Sequence, residues 1–519
     1  MKGLRQIRLD APLAWSAVLL AWSLSTSLFG MQVAVILGSS LLLGILALRL
    51  TWPGTALDRP FVAWLLAIAL SLILAPSPPA SLLTATSWWV LSAFFVAHFG
   101  LTTPRLLRWA LAGFVGAAVL VSVLALVQSL SGLDPFSAVL HPQVKQAIGP
   151  APGVPGFFGA VGLFFSRLTL AHVLIFPIAW VSAWLLRPLG WRWRLGHFLL
   201  LIMLLAGLAS TWTRAAPLVL ALAIGGLILA RLPGGRLRWG VLAGGLVLLI
   251  LAGAILGPHL PDRLRHSFAG KHDWGRLTIW HAAQDLSSLR PLTGIGYGNF
   301  QRDSGPIVES RRQQVGNRRF PGTIAWAHNL VLSVMAECGF LGLLAFVWIF
   351  FAYFRAARRR LRSMPDDEPW LRGFVHGSMA GVGAFLLVGL FHDPFWDGEV
   401  VFALLFTMGA SLSSAVAKEE DRAEGSWGGD LLPVMGLALA AMALVVGASQ
   451  AILAYRSTAS MLPGRLDFLP VMAIVAALTL STYFVLGKSP WKDSAVRPWL
   501  ALVLGSLGGS LGQWLWFPG

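Results

Sequence analysis

The stretch "AWAHNLVLSVMAECGFLG" (residues 325–342) opens an apolar run with His328 and Asn329 and carries Glu337 inside it. Imidazole titrates near neutrality, so His328 can take a proton from a hydroxyl or hydrogen-bond an anion. Asn329 is a candidate substrate-binding residue or caps the helix that follows. Upstream, Arg214 stands in "STWTRAAP" and Arg276 in "WGRLTIW", with Arg265 and Arg290 on either side of the second. A guanidinium offers several N–H donors in a fixed fork and a permanent charge, which suits it to holding phosphate oxygens.

Other polar groupings are less specific. His266, His272, Asp273 and His281 follow no compact ligand spacing, so no metal is expected. "GIGYGNF" (294–300) contains Gly-x-Gly-x-Gly but lacks the Gly-x-Gly-x-x-Gly order of a dinucleotide fold, and is expected to make tight turns over a substrate. His392, Asp393, Asp397 and Glu399, in "FHDPFWDGE", form a polar cluster that could orient an acceptor or a histidine, or simply be solvated.

The elements that position these residues are membrane helices. Of the 519 residues 56% are hydrophobic and only 12% charged, and the mean hydropathy is +0.73. Soluble proteins carry about 25% charged residues. The expected fold is therefore an all-α polytopic membrane protein. Apolar stretches long enough to cross number about 15. They lie near 11–29, 31–50, 61–76, 87–103, 106–130, 168–187, 196–213, 215–231, 239–257, 327–354, 372–391, 399–417, 431–453, 467–487 and 498–516. No small-residue cleavage site follows "MKGLRQIRLD", so the first span reads as a retained helix.

Arginine placement sets the topology. Lys2, Arg5 and Arg8 put the N-terminus in the cytoplasm, and Arg49/Arg59, Arg105/Arg108, Arg187/Arg192/Arg194, Arg231/Arg236/Arg238 and the run Arg355 to Arg362 mark inner loops. The net charge of +17 is largely this pattern, and nucleic acid is not an expected partner. The lone Cys338 excludes an intramolecular disulfide and a thiolate cluster.

Two outward segments depart from the pattern. Residues 131–166 are rich in Gly and Pro, as in a re-entrant loop. Residues 258–326 form a large, partly helical, net-basic loop on the outer side, where the orientation rule gives no reason for basic charge. A phosphate-bearing partner would account for it. Arg214 falls at an outer helix mouth, where an intramembrane arginine either marks a polar cavity or snorkels to the headgroups. Glu337 lies nine residues beyond His328, half a turn around and roughly 13 Å deeper, so the two cannot be hydrogen-bond partners. It reads as a buried residue, neutral or paired with another helix. Gly339 and Gly342 share a face suited to close helix packing.

"GRLTIWHAAQDLSSLRPLTGIGYGNF" (275–300) followed by His328-Asn329, nine residues and Gly339-Phe-Leu-Gly342 resembles the core of the O-antigen ligase and O-antigen polymerase superfamily. "STWTRA", with Ala215 where glycine is common, and "GFFGAVGLFFSRLTLAHVL" (156–174) resemble two further elements of it. The resemblance covers roughly 150–417. It implies about 12 core helices, with about three more beyond it.

The resulting domains are N-terminal helices at 1–150, central helices at 151–257, the outer loop at 258–326, ligase-core helices at 327–417 and an extension at 418–519. The resemblance further implies a glycosyltransferase of the bacterial inner membrane, without metal or cofactor, with its active site facing the periplasm. Its partners would be membrane lipids, a polyprenyl diphosphate-linked glycan as donor, and a lipid A-core or other glycan or protein hydroxyl as acceptor. Polymerase and protein O-oligosaccharyltransferase are the alternatives within the class. A transporter is the alternative outside it, though no repeated halves with broken helices are visible. The resemblance places Arg214, Arg276 and His328 in the active site. On this reading Arg214 and Arg276 hold the diphosphate with Arg265 or Arg290 assisting, and His328 is either the base or a diphosphate ligand.

Overall fold

The computed structural model describes residues 10–49, 54–75, 86–134, 148–151, 154–188, 190–231, 235, 274–315, 326–365 and 368–416. The spans expected at 239–257, 431–453, 467–487 and 498–516, the extension from 418, and Arg265, His266, His272 and Asp273 lie outside them.

The regular structure of the described residues is α-helical apart from three 3-10 segments and one hairpin of two-residue strands. It runs α1 (Asp10–Ser23), α2 (Leu28–Arg49), α3 (Asp58–Ile73), α4 (Ser92–Gly100), α5 (Pro104–Ser131), β1 (Gly149–Pro150), β2 (Phe158–Gly159), α6 (Arg167–Leu185), α7 (Trp191–Ser210), α8 (Ala215–Arg231), α9 (Trp274–Leu289), α10 (Phe300–Val315), α11 (Leu330–Ser363), α12 (Pro369–Val388) and α13 (Gly398–Ser411). Among the described residues six helices are long and apolar enough to cross a membrane: α2, α5, α6, α7, α11 and α12. Side chains such as Ile73, Leu120 and Phe351 are more than 60% exposed, as lipid-facing residues would be.

Caps fix the ends that matter. Ser166 accepts the Leu168 N–H at 3.1 Å and starts α6. Thr103 accepts the Leu106 N–H at 3.3 Å and starts α5, which stops at Gly132 in the left-handed conformation. Helices α6 and α12 run antiparallel: Gly373 meets Trp184, Gly377 meets Trp180 and Gly381 meets Phe176. A Cβ on Gly377 would stand 2.7 Å from the Trp180 Cα, so only glycine allows this approach. The pairing brings the end of α12 to the start of α6.

Two ends of the bundle are thereby defined. At one, the Ala160 N–H donates to Ser210 at 2.9 Å, the Trp212 indole to Ser129 at 3.1 Å and the Leu330 N–H to Gly389 at 2.7 Å. At the other, the Ala415 N–H donates to Leu101 at 3.2 Å and the Trp184 indole to Trp370 at 3.1 Å. In the segment expected to be a re-entrant loop, Gly149–Pro150 and Phe158–Gly159 pair as a short hairpin, and Phe158 to Gly162 lie against α5. Gln128 holds it by accepting the Gly162 N–H at 2.8 Å and donating to the Gly162 carbonyl at 2.9 Å.

Helices α9 and α10 form a pair with a small core of their own, built on Ile279, Ala283, Leu286, Phe300 and Val308 and joined to α11 through Ala336. Its attachment corrects the reading of Gly339. Gly339 is not a packing glycine on a continuous helix: it sits at φ 64, ψ −165 and breaks α11. The connection from α9 to α10 enters that break. Ile295 N–H donates to the Ala336 carbonyl at 2.9 Å, Gly296 N–H to Glu337 at 3.0 Å, and Phe340 N–H to Pro291 at 2.8 Å.

A Cβ on Gly294 would lie 2.3 Å from the Glu337 carbonyl, and one on Gly339 2.4 Å from the Leu292 carbonyl carbon. Both glycines have positive φ, so their types follow from contact as well as conformation. The Gly-x-Gly run makes tight turns, with Gly294, Gly296 and Gly298 all at positive φ, and they clasp the broken helix. Glu337 is buried and accepts the N–H of Phe300, the first residue of α10, at 3.2 Å, so its partner is the start of that helix.

Candidate functional site

His328 closes a turn between the α9–α10 pair and α11. Its φ is +51, in the left-handed region that a side chain occupies only at a cost of about 1–3 kcal/mol. The conformation is held by the segment after α12. The Asp393 carboxyl accepts the backbone N–H groups of His328 and Asn329 and the Ser333 hydroxyl, the last at 2.9 Å. Ser333 in turn accepts the Ala327 N–H at 3.2 Å. Asn329 caps α11 by accepting the Leu332 N–H at 3.1 Å, and its amide donates to the Leu390 carbonyl at 3.1 Å. The Phe-His-Asp segment is therefore a brace for the histidine turn.

Burial pushes the Asp393 carboxyl up to about 7, against the opposing pull of those three donors. Burial also lowers the His328 pKa, and the charge on Arg276 lowers it further. His392 is pushed down to about 3 by burial, then by His172, Arg276 and His328. These couplings put Arg276, His328 and His392 within electrostatic reach of one another. The His392 ring also contacts the His172 ring, with centroids 5.6 Å apart. One turn before His172 on α6, the Thr169 hydroxyl donates to Asp397, whose carboxyl is hydrogen-bonded with that of Glu399.

The expected site residues divide. Arg276, half-buried in the first turn of α9, and His328 come together. Arg214 is exposed just before α8, at the same end of the bundle, and α8 packs on both α6 and α12. Asn329 is a cap and a tie to the Asp393 segment. Arg290 is corrected. It follows the far end of α9, about 20 Å along the helix axis from Arg276, and donates to the Leu74 carbonyl at the end of α3. There it lines a surface hollow of about 330 Å³ with Leu286, Ile295 and Asp303. It cannot share one diphosphate with Arg276.

His172 and Thr169 were not singled out by the sequence reading. The available signal was Thr-x-x-His in an otherwise apolar run, where an ionisable residue at helix depth marks a candidate site.

With the geometry in place, the comparison is direct. Residues 198–347 match the family model described as O-Antigen ligase, a stretch that contains Arg214, Arg276, His328 and the clasp between them. Among curated proteins none matches the chain. The match bears out the superfamily resemblance over residues 198–347, and the apolar helices of membrane-crossing length agree with it.

Proposed function

We propose, from the premise of an O-antigen ligase domain over residues 198–347, that the chain transfers a glycan from a polyprenyl diphosphate carrier to a hydroxyl acceptor. The reaction would take place at the outer face of the bacterial inner membrane. The carrying observation is that Arg276, His328 and His392 converge at the bundle end opposite the arginine-rich one. Arginines at the inner end set orientation, so the converging groups face outward, where the α9–α10 pair forms the large loop.

In this reading Arg276 and Arg214 bind the diphosphate and stabilise the charge that grows on its oxygens as the sugar departs. His328, kept neutral by burial and by Arg276, retains a free lone pair for the acceptor hydroxyl. A bound diphosphate offsets the charge of Arg276 and so raises the basicity of His328 when substrate is present. Asp393 keeps the imidazole turned toward the site through the backbone on which it is mounted.

The O-antigen ligase match favours a lipid A-core acceptor; a growing chain or a protein hydroxyl would make the enzyme a polymerase or an oligosaccharyltransferase. The test is to incubate purified protein with a polyprenyl diphosphate-linked oligosaccharide and each acceptor class. Transfer to one of them, lost in Arg276→Ala and strongly reduced in His328→Gln, is the expected result. Undiminished transfer by Arg276→Ala would remove the assignment of the site.

A further inference from the structure

Two imidazoles near the site have no part in these roles. His172 lies in α6, is 3% exposed, and its Nε2 has no hydrogen-bond partner among the described residues. A buried polar atom left without a partner needs an explanation, because an apolar side chain would pack there at lower cost. The ring it contacts is that of His392, tilted by 54°. The His392 backbone is fixed by its N–H to the Val388 carbonyl at 3.0 Å. Helix α6 thus supports the segment 392–397 at two points one turn apart, through Thr169 on Asp397 and His172 on His392.

The groups facing His392 are Arg276 from α9, His328 from the turn before α11 and His172 from α6, with Asp393 and Asp397 on its own segment. A permanent cation and two imidazoles make this an environment for an anion, and they disfavour a third positive charge.

We propose that His392 is a further catalytic residue that donates a ring N–H to an oxygen of the departing diphosphate, and that His172 is the positioning residue whose ring, packed against that of His392, holds its orientation. The proposal rests on the transfer reading above. In the step, the bond from the anomeric carbon to the diphosphate oxygen breaks and its electron pair stays on that oxygen. The acceptor oxygen forms the new bond, and its proton passes to His328. His392 shares its proton with the leaving oxygen without releasing it. A neutral imidazole suits this task because it donates without first having to be protonated.

The test is steady-state transfer by the full-length protein in nanodiscs, with a polyprenyl diphosphate-linked oligosaccharide and the acceptor that supports turnover. His392→Phe removes the donor and is expected to lower kcat about a hundredfold, with KM for the lipid-linked donor within about threefold. His392→Gln keeps an N–H donor and should recover about tenfold of that loss. His172→Leu should lower kcat about tenfold at unchanged KM, and His172→Gln should restore most of it. Thermal unfolding and size-exclusion profiles screen out variants that fail to fold.

A purely structural pair would show losses that follow unfolding temperature, with Gln and the apolar variants alike. That result, or His392→Phe within about threefold of wild type, overturns the proposal. Arg276→Ala in the same assay separates the two levels. If it is inactive while His392→Phe is active, only the imidazole pair is lost; if it is active, the reading of the whole site is lost.

Discussion

At one end of the bundle Arg108 lies over the Trp370 ring at 5.1 Å, the Arg187 guanidinium meets His376 at 2.8 Å, and Arg372 donates to the Met364 carbonyl at 2.7 Å. Arg355, Arg358, Arg359 and Arg362 stand exposed along α11. At the other end Arg276 is half-buried beside two imidazoles, on a helix pair clasped into the break at Gly339. The first set is dispersed over separate local partners or open surface, as charges that only anchor a membrane protein would be. The second is concentrated, and its neighbours disfavour one another's charge, an arrangement that an anion would relieve.

The sharpest way to break this contrast is to neutralise one arginine from each end. Arg276→Ala should lower glycan transfer by about 10²–10³, and Arg358→Ala should change it less than about twofold, both measured on protein of equal unfolding temperature. Comparable losses would mean that the two ends do not differ in kind.

The clasp can be tested next. Gly339→Ala places a Cβ against Leu292 at a positive φ and should cost about 2–4 kcal/mol, read as a lower unfolding temperature in detergent. The same change at Gly383, where a Cβ would meet nothing within 4 Å, should leave stability close to wild type.

Asp393 separates orientation from charge. Asp393→Ala frees the His328 turn and should reduce transfer by about ten- to a hundredfold. The wild-type rate should fall as pH drops through about 7, because a protonated Asp393 is a poorer acceptor for its three donors. Asp393→Asn should lose that limb. Stability has the opposite sign. With the carboxyl near 7 when folded against 3.8 otherwise, its contribution is fully present below 3.8 and is lost as pH rises through about 7. The smallest effect is expected for Asn329→Ala, about 1 kcal/mol from the lost cap, with transfer retained within about fivefold.

The helices were legible because their cause is local: apolar runs of membrane length bounded by arginines. Spans read at 215–231 and 106–130 became Ala215–Arg231 and Pro104–Ser131. Arg276 and His328 were legible as residue types at a recognisable spacing. The clasp was not, because Gly339 looks the same in sequence whether it packs against a neighbouring helix or admits one. Arg290 was misplaced for a related reason: its charge is plain in the sequence, but the length of α9 that separates it from Arg276 acts only once the helix is formed. The His172–His392 contact joins residues 220 positions apart through the antiparallel packing of α6 on α12, and nothing local announces it.

The most direct test of the account is equilibrium binding of a polyprenyl diphosphate without sugar to purified wild-type, Arg276→Ala and Arg358→Ala proteins. An anion pocket at the His328 end predicts affinity at least about tenfold weaker in Arg276→Ala and unchanged in Arg358→Ala. Equal affinity in all three, or loss only in Arg358→Ala, would contradict it.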